Sequence, residues 1–178
     1  VAVLPGSDSG WRMYYQYLPD RGPFNREKLW HTYDPESTPA YIVPPVANIS
    51  DGPSGLTYYP GTGLSEHFRN RFFLADFRGN AASSGIRTFR AKQKGAFWKV
   101  TDMEKTIWNT LATDVDFGPD GRLYVADWVF GWVGEKKGRV YTFEDKTAAN
   151  QPVALEVKQL LKEGVNQKTG PELAALLS

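Results

Sequence analysis

Two short stretches of the chain end on the same three residue types: Ala75-Asp76-Phe77 and Ala126-Asp127-Trp128. A carboxylate that closes a β-strand can line a channel, bind a metal ion or accept hydrogen bonds from nearby backbone N–H groups. Recurrence favours the structural role, because a catalytic group is needed only once. Arg78 follows the first copy alone, and Val129 stands in its place in the second. A single guanidinium at a strand end either pairs with a ligand carboxylate or is a solvated loop arginine, and the sequence leaves both open. Beside Trp128, Phe130-Gly-Trp-Val133 reads as an exposed aromatic loop. Stacking of a sugar or quinone on it competes with the commoner packing of rings within the fold. Catalysis has fewer candidates. His31 and His67 are the only histidines, neither is set among acidic residues at metal-ligand spacing, and no Gly-x-Ser-x-Gly elbow occurs. Both histidines read as loop residues.

The elements that would carry these residues repeat. Arg71-Phe-Phe-Leu-Ala-Asp-Phe77 matches Arg122-Leu-Tyr-Val-Ala-Asp-Trp128 at an offset of 51 residues. The strand after each, ending at Phe89 and at Phe143, matches at an offset of 54. A unit of that length built from short aromatic and β-branched runs is a sign of radial β repetition, as in a propeller blade. Strands are predicted at Leu56 to Tyr59, Phe72 to Phe77, Ile86 to Arg90, Phe97 to Thr101, Val115 to Phe117, Arg122 to Trp128 and Arg139 to Phe143. Turns are predicted at Asp51 to Gly55, Pro60 to Gly63 and Gly118-Pro-Asp-Gly121, the last a hairpin signal in which Pro presets φ and Gly takes a positive one. Before residue 51 the pattern is weaker. Gly6 to Arg12 reads as a loop, Met13 to Tyr17 as a short strand, Glu27 to His31 as a helical turn, and the Pro-rich remainder as an excursion. After Asp145 the period changes. Pro152 to Lys162 is predicted helical, with Val153, Val157, Leu160 and Leu161 on one face, and Thr169 to Glu172 has capping-box spacing before a second helix at Leu173 to Leu177. The predicted organisation is a partial β-propeller of two to three blades over residues 1–147, then the start of a helical, repeat-like domain over 148–178. The fold class is all-β, comprising the last blades of a propeller, with a short C-terminal α-helical extension.

Composition bounds the function classes. Lys and Arg number 21 against 20 Asp and Glu, so nothing favours nucleic acid or an anionic membrane as partner. No apolar run approaches the roughly 20 residues that span a bilayer. The absence of Cys removes disulfides, thiolate metal sites and cysteine nucleophiles. The chain opens Val1-Ala-Val-Leu-Pro5, without Met or a leader-like pattern, and reads as a piece of a longer protein.

Three segments carry a family resemblance: Asp8-Ser-Gly-Trp-Arg12, Gly52-Pro-Ser-Gly-Leu56 with Tyr59-Pro-Gly61, and Thr113-Asp-Val-Asp-Phe-Gly-Pro-Asp-Gly-Arg-Leu-Tyr-Val-Ala-Asp-Trp128. Across about residues 5–145 the chain resembles the later blades of glucose/sorbosone dehydrogenase-like β-propellers. The resemblance implies a six-bladed propeller that oxidises a sugar or polyol with pyrroloquinoline quinone and calcium. It also implies a periplasmic or secreted bacterial protein in which helical repeats and a cytochrome c domain follow. Carried over by position, Arg78 replaces a cofactor-facing lysine and Ser50 a threonine, and with Asn48 they form the expected cofactor-binding set. No catalytic residue carries over. Pro45 and Asn48 stand where quinone-dependent members have Tyr and Trp, and Leu111 and Thr113 where they have two arginines. Those departures favour the alternative function, a non-catalytic propeller that binds a glycan or protein partner.

Overall fold

The computed structural model describes residues 46–47 and 49–176. The loop at Gly6 to Arg12, the strand at Met13 to Tyr17, the helical turn at Glu27 to His31, and His31, Pro45, Asn48 and Leu177 lie outside the described residues. The rest forms two antiparallel sheets followed by three short helices. The first sheet is a four-stranded meander of β1 (Pro53–Tyr58), β2 (Phe72–Asp76), β3 (Gly85–Lys94) and β4 (Phe97–Trp108). The second has three strands in sequence order, β5 (Ala112–Phe117), β6 (Leu123–Asp127) and β7 (Arg139–Phe143). The repeat is real in register: Phe72 faces Phe89 across β2 and β3, and Leu123 faces Phe143 across β6 and β7.

β1 and β2 pack against β5, joining the sheets. Alternation along each strand sends Phe73, Ala75 and Ile86 from the first sheet to meet Ala112, Val115, Leu123 and Val125 from the second. Tyr59 completes the cluster, and its hydroxyl both donates to the Leu64 carbonyl (2.5 Å) and accepts from the Leu64 N–H (3.0 Å). Phe117 meets Phe73 edge-on at 5.2 Å between ring centres. Phe73 is fully buried. Burying a side chain of this size is worth about 1.5–3 kcal/mol, so this cluster dominates the cohesion of the pair of sheets.

Several elements differ from the sequence expectation, β1, β3 and β4 among them. A turn is expected over Asp51 to Gly55, yet β1 begins at Pro53. The Pro-Ser-Gly run instead forms a bulge, where a Cβ on Gly55 would run into Asp114 of β5. The glycine there serves close approach of the sheets. β3 and β4 run on to Lys94 and Trp108, beyond the predicted ends at Arg90 and Thr101. Their outer halves pair Lys92 with Lys99 and Gln93 with Trp98 as an exposed ribbon, which lacks the one-sided apolar alternation that marks a half-buried strand.

After β7, Asp145 caps α1 (Lys146–Ala149), accepting from the Thr147 and Ala148 N–H groups at 2.9 and 3.2 Å. The expected domain division at residue 147 falls inside this unpredicted helix. α2 (Pro152–Glu163) has Pro at its start and Gly164 beyond its end, as expected. α3 (Gly170–Ala175) opens with the Thr169 N–H donating to Glu172 Oε2 at 2.7 Å, the expected capping box. Neither α2 nor α3 buries a residue, and Val153, Leu155 and Leu161 are exposed. No helix among the described residues is long and apolar enough to cross a membrane.

Candidate functional site

The two Ala-Asp-aromatic trios close β2 and β6 and are tied down alike. The Phe77 N–H donates to the Gly52 carbonyl (2.7 Å), and the Trp128 N–H to the Leu111 carbonyl (2.9 Å). Each bond fastens the strand's end to the residue before its sheet's first strand. Both aspartates are buried, Asp76 at 0% exposure and Asp127 at 4%. A carboxylate so placed must be paired. Asp127 accepts from Arg139 through Nη2 (2.8 Å) and Nε (3.0 Å), and from the Val129 N–H (3.1 Å). Asp76 accepts from Arg87 Nε (2.8 Å), Arg78 Nε (3.0 and 3.2 Å) and Ser50 Oγ (2.5 Å). Burial alone would raise the Asp76 carboxyl. The hydrogen bonds from Arg78, Ser50 and Arg87 outweigh it and hold the group below the usual aspartate value.

Arg78 is the residue that distinguishes the copies. Its backbone N–H donates to the buried Ser84 hydroxyl (2.9 Å), and the loop after it is fixed where Asn80 Oδ1 accepts from the Ser83 N–H (3.0 Å). Its side chain is forked. Nε holds buried Asp76, while Nη1 reaches Asp51 at 2.7 Å, and the Asp51 side chain is 84% exposed. One end of the guanidinium is therefore anchored in the protein and the other lies at the surface. Asp76 chiefly, then Asp51, favours its protonated form.

The aromatic loop folds over the same strand ends. Trp132 meets Phe77 at 5.1 Å with the rings perpendicular, and Trp128 meets it at 6.4 Å, also edge-on. Gly79, at φ 74°, lies directly under the Trp132 indole, where a Cβ would collide with the ring. Trp132 nevertheless remains 72% exposed and Phe130 60%. The exposed Trp132 indole thus rests on Phe77 and Gly79, the two residues that flank Arg78 in the chain.

Of the expected cofactor set, Arg78 and Ser50 are brought together on Asp76, and Asn48 lies outside the described residues. Leu111 is buried, and the Thr113 hydroxyl donates to the Ala126 carbonyl at 3.4 Å. His67 sits towards the other end of β2, with Nε2 2.8 Å from Glu104 Oε1 and its carbonyl accepting from Arg71 and Arg90. Sequence reasoning misses Asp51, which reads only as a turn residue, and Arg87, which reads only as part of a strand. Neither has a local signal, since both reach this site by pairing across the sheet and its loops.

These residues do not fit a quinone that carries several carboxylates together with a calcium ion. The guanidinium groups at this end, those of Arg78, Arg87 and Arg139, are each committed to a buried aspartate. Ser50 Oγ is spent on Asp76 and on the Gly52 N–H. No group of three or more His, Asp or Glu among the described residues is arranged to hold a metal ion.

No family model matches the chain, and no curated protein matches it. Among solved structures, it is similar to a Thermus thermophilus protein named provisionally as an oxidoreductase (glucose dehydrogenase). Identity is 23% and the TM-score 0.37, and the match takes in 51% of this chain and 25% of that one.

Proposed function

We propose that the strand-end face carrying Trp132, Phe77 and Arg78 binds carbohydrate, and that the two sheets are blades of a β-propeller of the glucose/sorbosone dehydrogenase type. One observation carries the binding reading. An exposed tryptophan, held edge-on by Phe77 and seated on Gly79, rests on the two residues that flank Arg78, whose guanidinium is fixed by a buried aspartate. Sugars are bound by this pairing of chemistries: the apolar face of a pyranose ring stacks on an aromatic plane, and its hydroxyls accept from rigid donors. Sheets stacked face to face through their first strands, in meander order and with a repeating register, support the propeller reading.

Binding, rather than oxidation, is what these residues supply. Removing a hydride from a sugar carbon needs a base within reach of the hydroxyl. His67, towards the far end of β2, is not placed for it, and the buried aspartates are locked to arginines. In a sugar-oxidising protein of this lineage, the base and the electron acceptor would come from outside the described residues. A periplasmic or secreted location belongs to the same reading.

Titration of the chain with glucose and with short gluco-oligosaccharides, read by tryptophan fluorescence, tests the proposal. Saturable quenching that is lost in Trp132→Ala is expected. Quenching that survives in Trp132→Ala, or none at all, defeats it. Dye reduction with aldoses in the presence of quinone and calcium tests oxidation separately, and no turnover is expected.

A further inference from the structure

The Arg78 fork extends the carbohydrate reading, on which the following rests. We infer that the site prefers sugars bearing a carboxylate, such as uronic acids, and that Asp51 occupies the ligand's place in the unliganded protein. The two partners of Arg78 differ in kind. Asp76 is fully buried and is shared with Arg87 and Ser50. Breaking that contact would strand charge in the interior. Asp51 is 84% exposed, and an ion pair of that sort is individually weak, open to water and to exchange. A ligand carboxylate can displace Asp51 without disturbing the anchor, because Nε and Nη1 serve different partners.

Charge balance points the same way. Arg78 and Arg87 face Asp51 and Asp76, so the four groups are neutral as they stand. Once Asp51 swings into solvent, one positive charge is uncompensated. Lys105 adds to it: its ammonium lies 4.3 Å from the centre of the Trp108 ring, which Arg87 also approaches at 5.0 Å. No carboxylate among the described residues forms an ion pair with Lys105. One monovalent anion offsets the charge left on the Arg78 group, and Lys105 keeps its surroundings positive. A pyranose stacked on Trp132 with its carboxylate on Arg78 would satisfy the apolar and charged halves of the site together, and a planar carboxylate matches the guanidinium fork.

Calorimetric titration with glucuronate, glucuronamide and glucose tests this. Glucuronate is expected to bind about tenfold more tightly than its amide or glucose, with the advantage shrinking as NaCl is raised. Asp51→Asn removes the competing carboxylate and is expected to tighten glucuronate about fivefold, the scale of one exposed ion pair. Because Asp51 is exposed, this variant keeps the fold. Arg78→Gln is expected to abolish the preference for glucuronate over its amide. If all three sugars bind equally, the inference falls while the carbohydrate reading stands. If Asp51→Asn weakens glucuronate, Asp51 is a ligand-holding group and the inference is overturned. If none of the three binds, both fall.

Discussion

The first and second copies of the repeat share a pattern of strand residues and differ in what their charges do. Arg71 opens the first copy at 3% exposure, donating to the His67 carbonyl (3.2 Å), Thr88 Oγ1 (3.2 Å) and the Asp102 carbonyl (2.6 Å). Arg122 opens the second at the surface, pairing with Glu144 at 2.7 Å. At the other end, both aspartates take an arginine from the following strand, but from different rungs. Arg139 stands directly opposite Asp127, whereas Gly85 stands opposite Asp76 and Arg87 reaches it from the rung facing Leu74. The second copy closes its carboxylate with its own Val129 N–H, and the first uses Arg78 and Ser50. The buried aspartate is therefore the scaffold common to both. What the first copy adds around it is Arg78 with Asp51, the part that we propose meets a ligand.

Replacing each aspartate in turn separates the two copies most strongly. Asp76→Ala leaves Arg87 and part of Arg78 without a counter-charge in the interior and should cost about 3–5 kcal/mol. Asp127→Ala should cost less, about 1.5–3 kcal/mol, since Arg139 is half exposed and can turn to water. Urea unfolding midpoints check the order, and equal losses would mean that Arg78 and Ser50 add nothing to the first copy. The leading arginines form the next pair. Arg71→Ala uncovers buried acceptors and should lose about 2–3 kcal/mol, against about 0.5 kcal/mol for Arg122→Ala.

A smaller effect separates the aromatic platform from the backbone beneath it. Gly79→Ala both strains a positive φ and pushes into the Trp132 indole, whereas Gly61→Ala, at φ 99°, meets open space. Each should cost about 1–2 kcal/mol for the backbone. Only Gly79→Ala should red-shift tryptophan emission and weaken sugar binding. A matched shift in Gly61→Ala would show that Trp132 is not seated on Gly79.

Much of the fold is legible because core alternation is local. Phe73, Ala75, Leu123 and Val125 announce which face of each strand is buried, and the Gly118 to Gly121 turn announces a hairpin. Ser54-Gly55 misleads because a glycine demanded by a neighbouring sheet looks, in sequence, like a glycine demanded by a turn. The outer half of β4 escapes notice because its residues pair for hydrogen bonds without burying a side. In the site, Arg78 is legible as a charged residue that follows one copy and is replaced by Val129 in the other. Asp51 and Arg87 are not, because an ion pair formed across a loop or a sheet leaves no pattern along the chain.

The mildest test uses pH, and its direction is fixed by the Asp76 carboxyl. Its burial works against its hydrogen bonds, so the depression of its pKa is a remainder between opposing causes. A carboxyl depressed in the folded state binds protons more readily when unfolded. It therefore contributes stability that is fully present above the unfolded value of ~3.9 and is lost as pH falls through the lower folded value. Glu104 acts in the same sense: burial would raise it, but His67, Thr88 and Arg71 hold it down. Unfolding free energy should thus be flat with respect to these groups near neutrality and fall below about pH 4. In Asp76→Asn the acid slope should flatten, leaving the share contributed by Glu104 and the other depressed carboxyls. An unchanged slope would mean that Asp76 exchanges its proton alike in folded and unfolded chains, and that its arginines hold it by geometry rather than by charge.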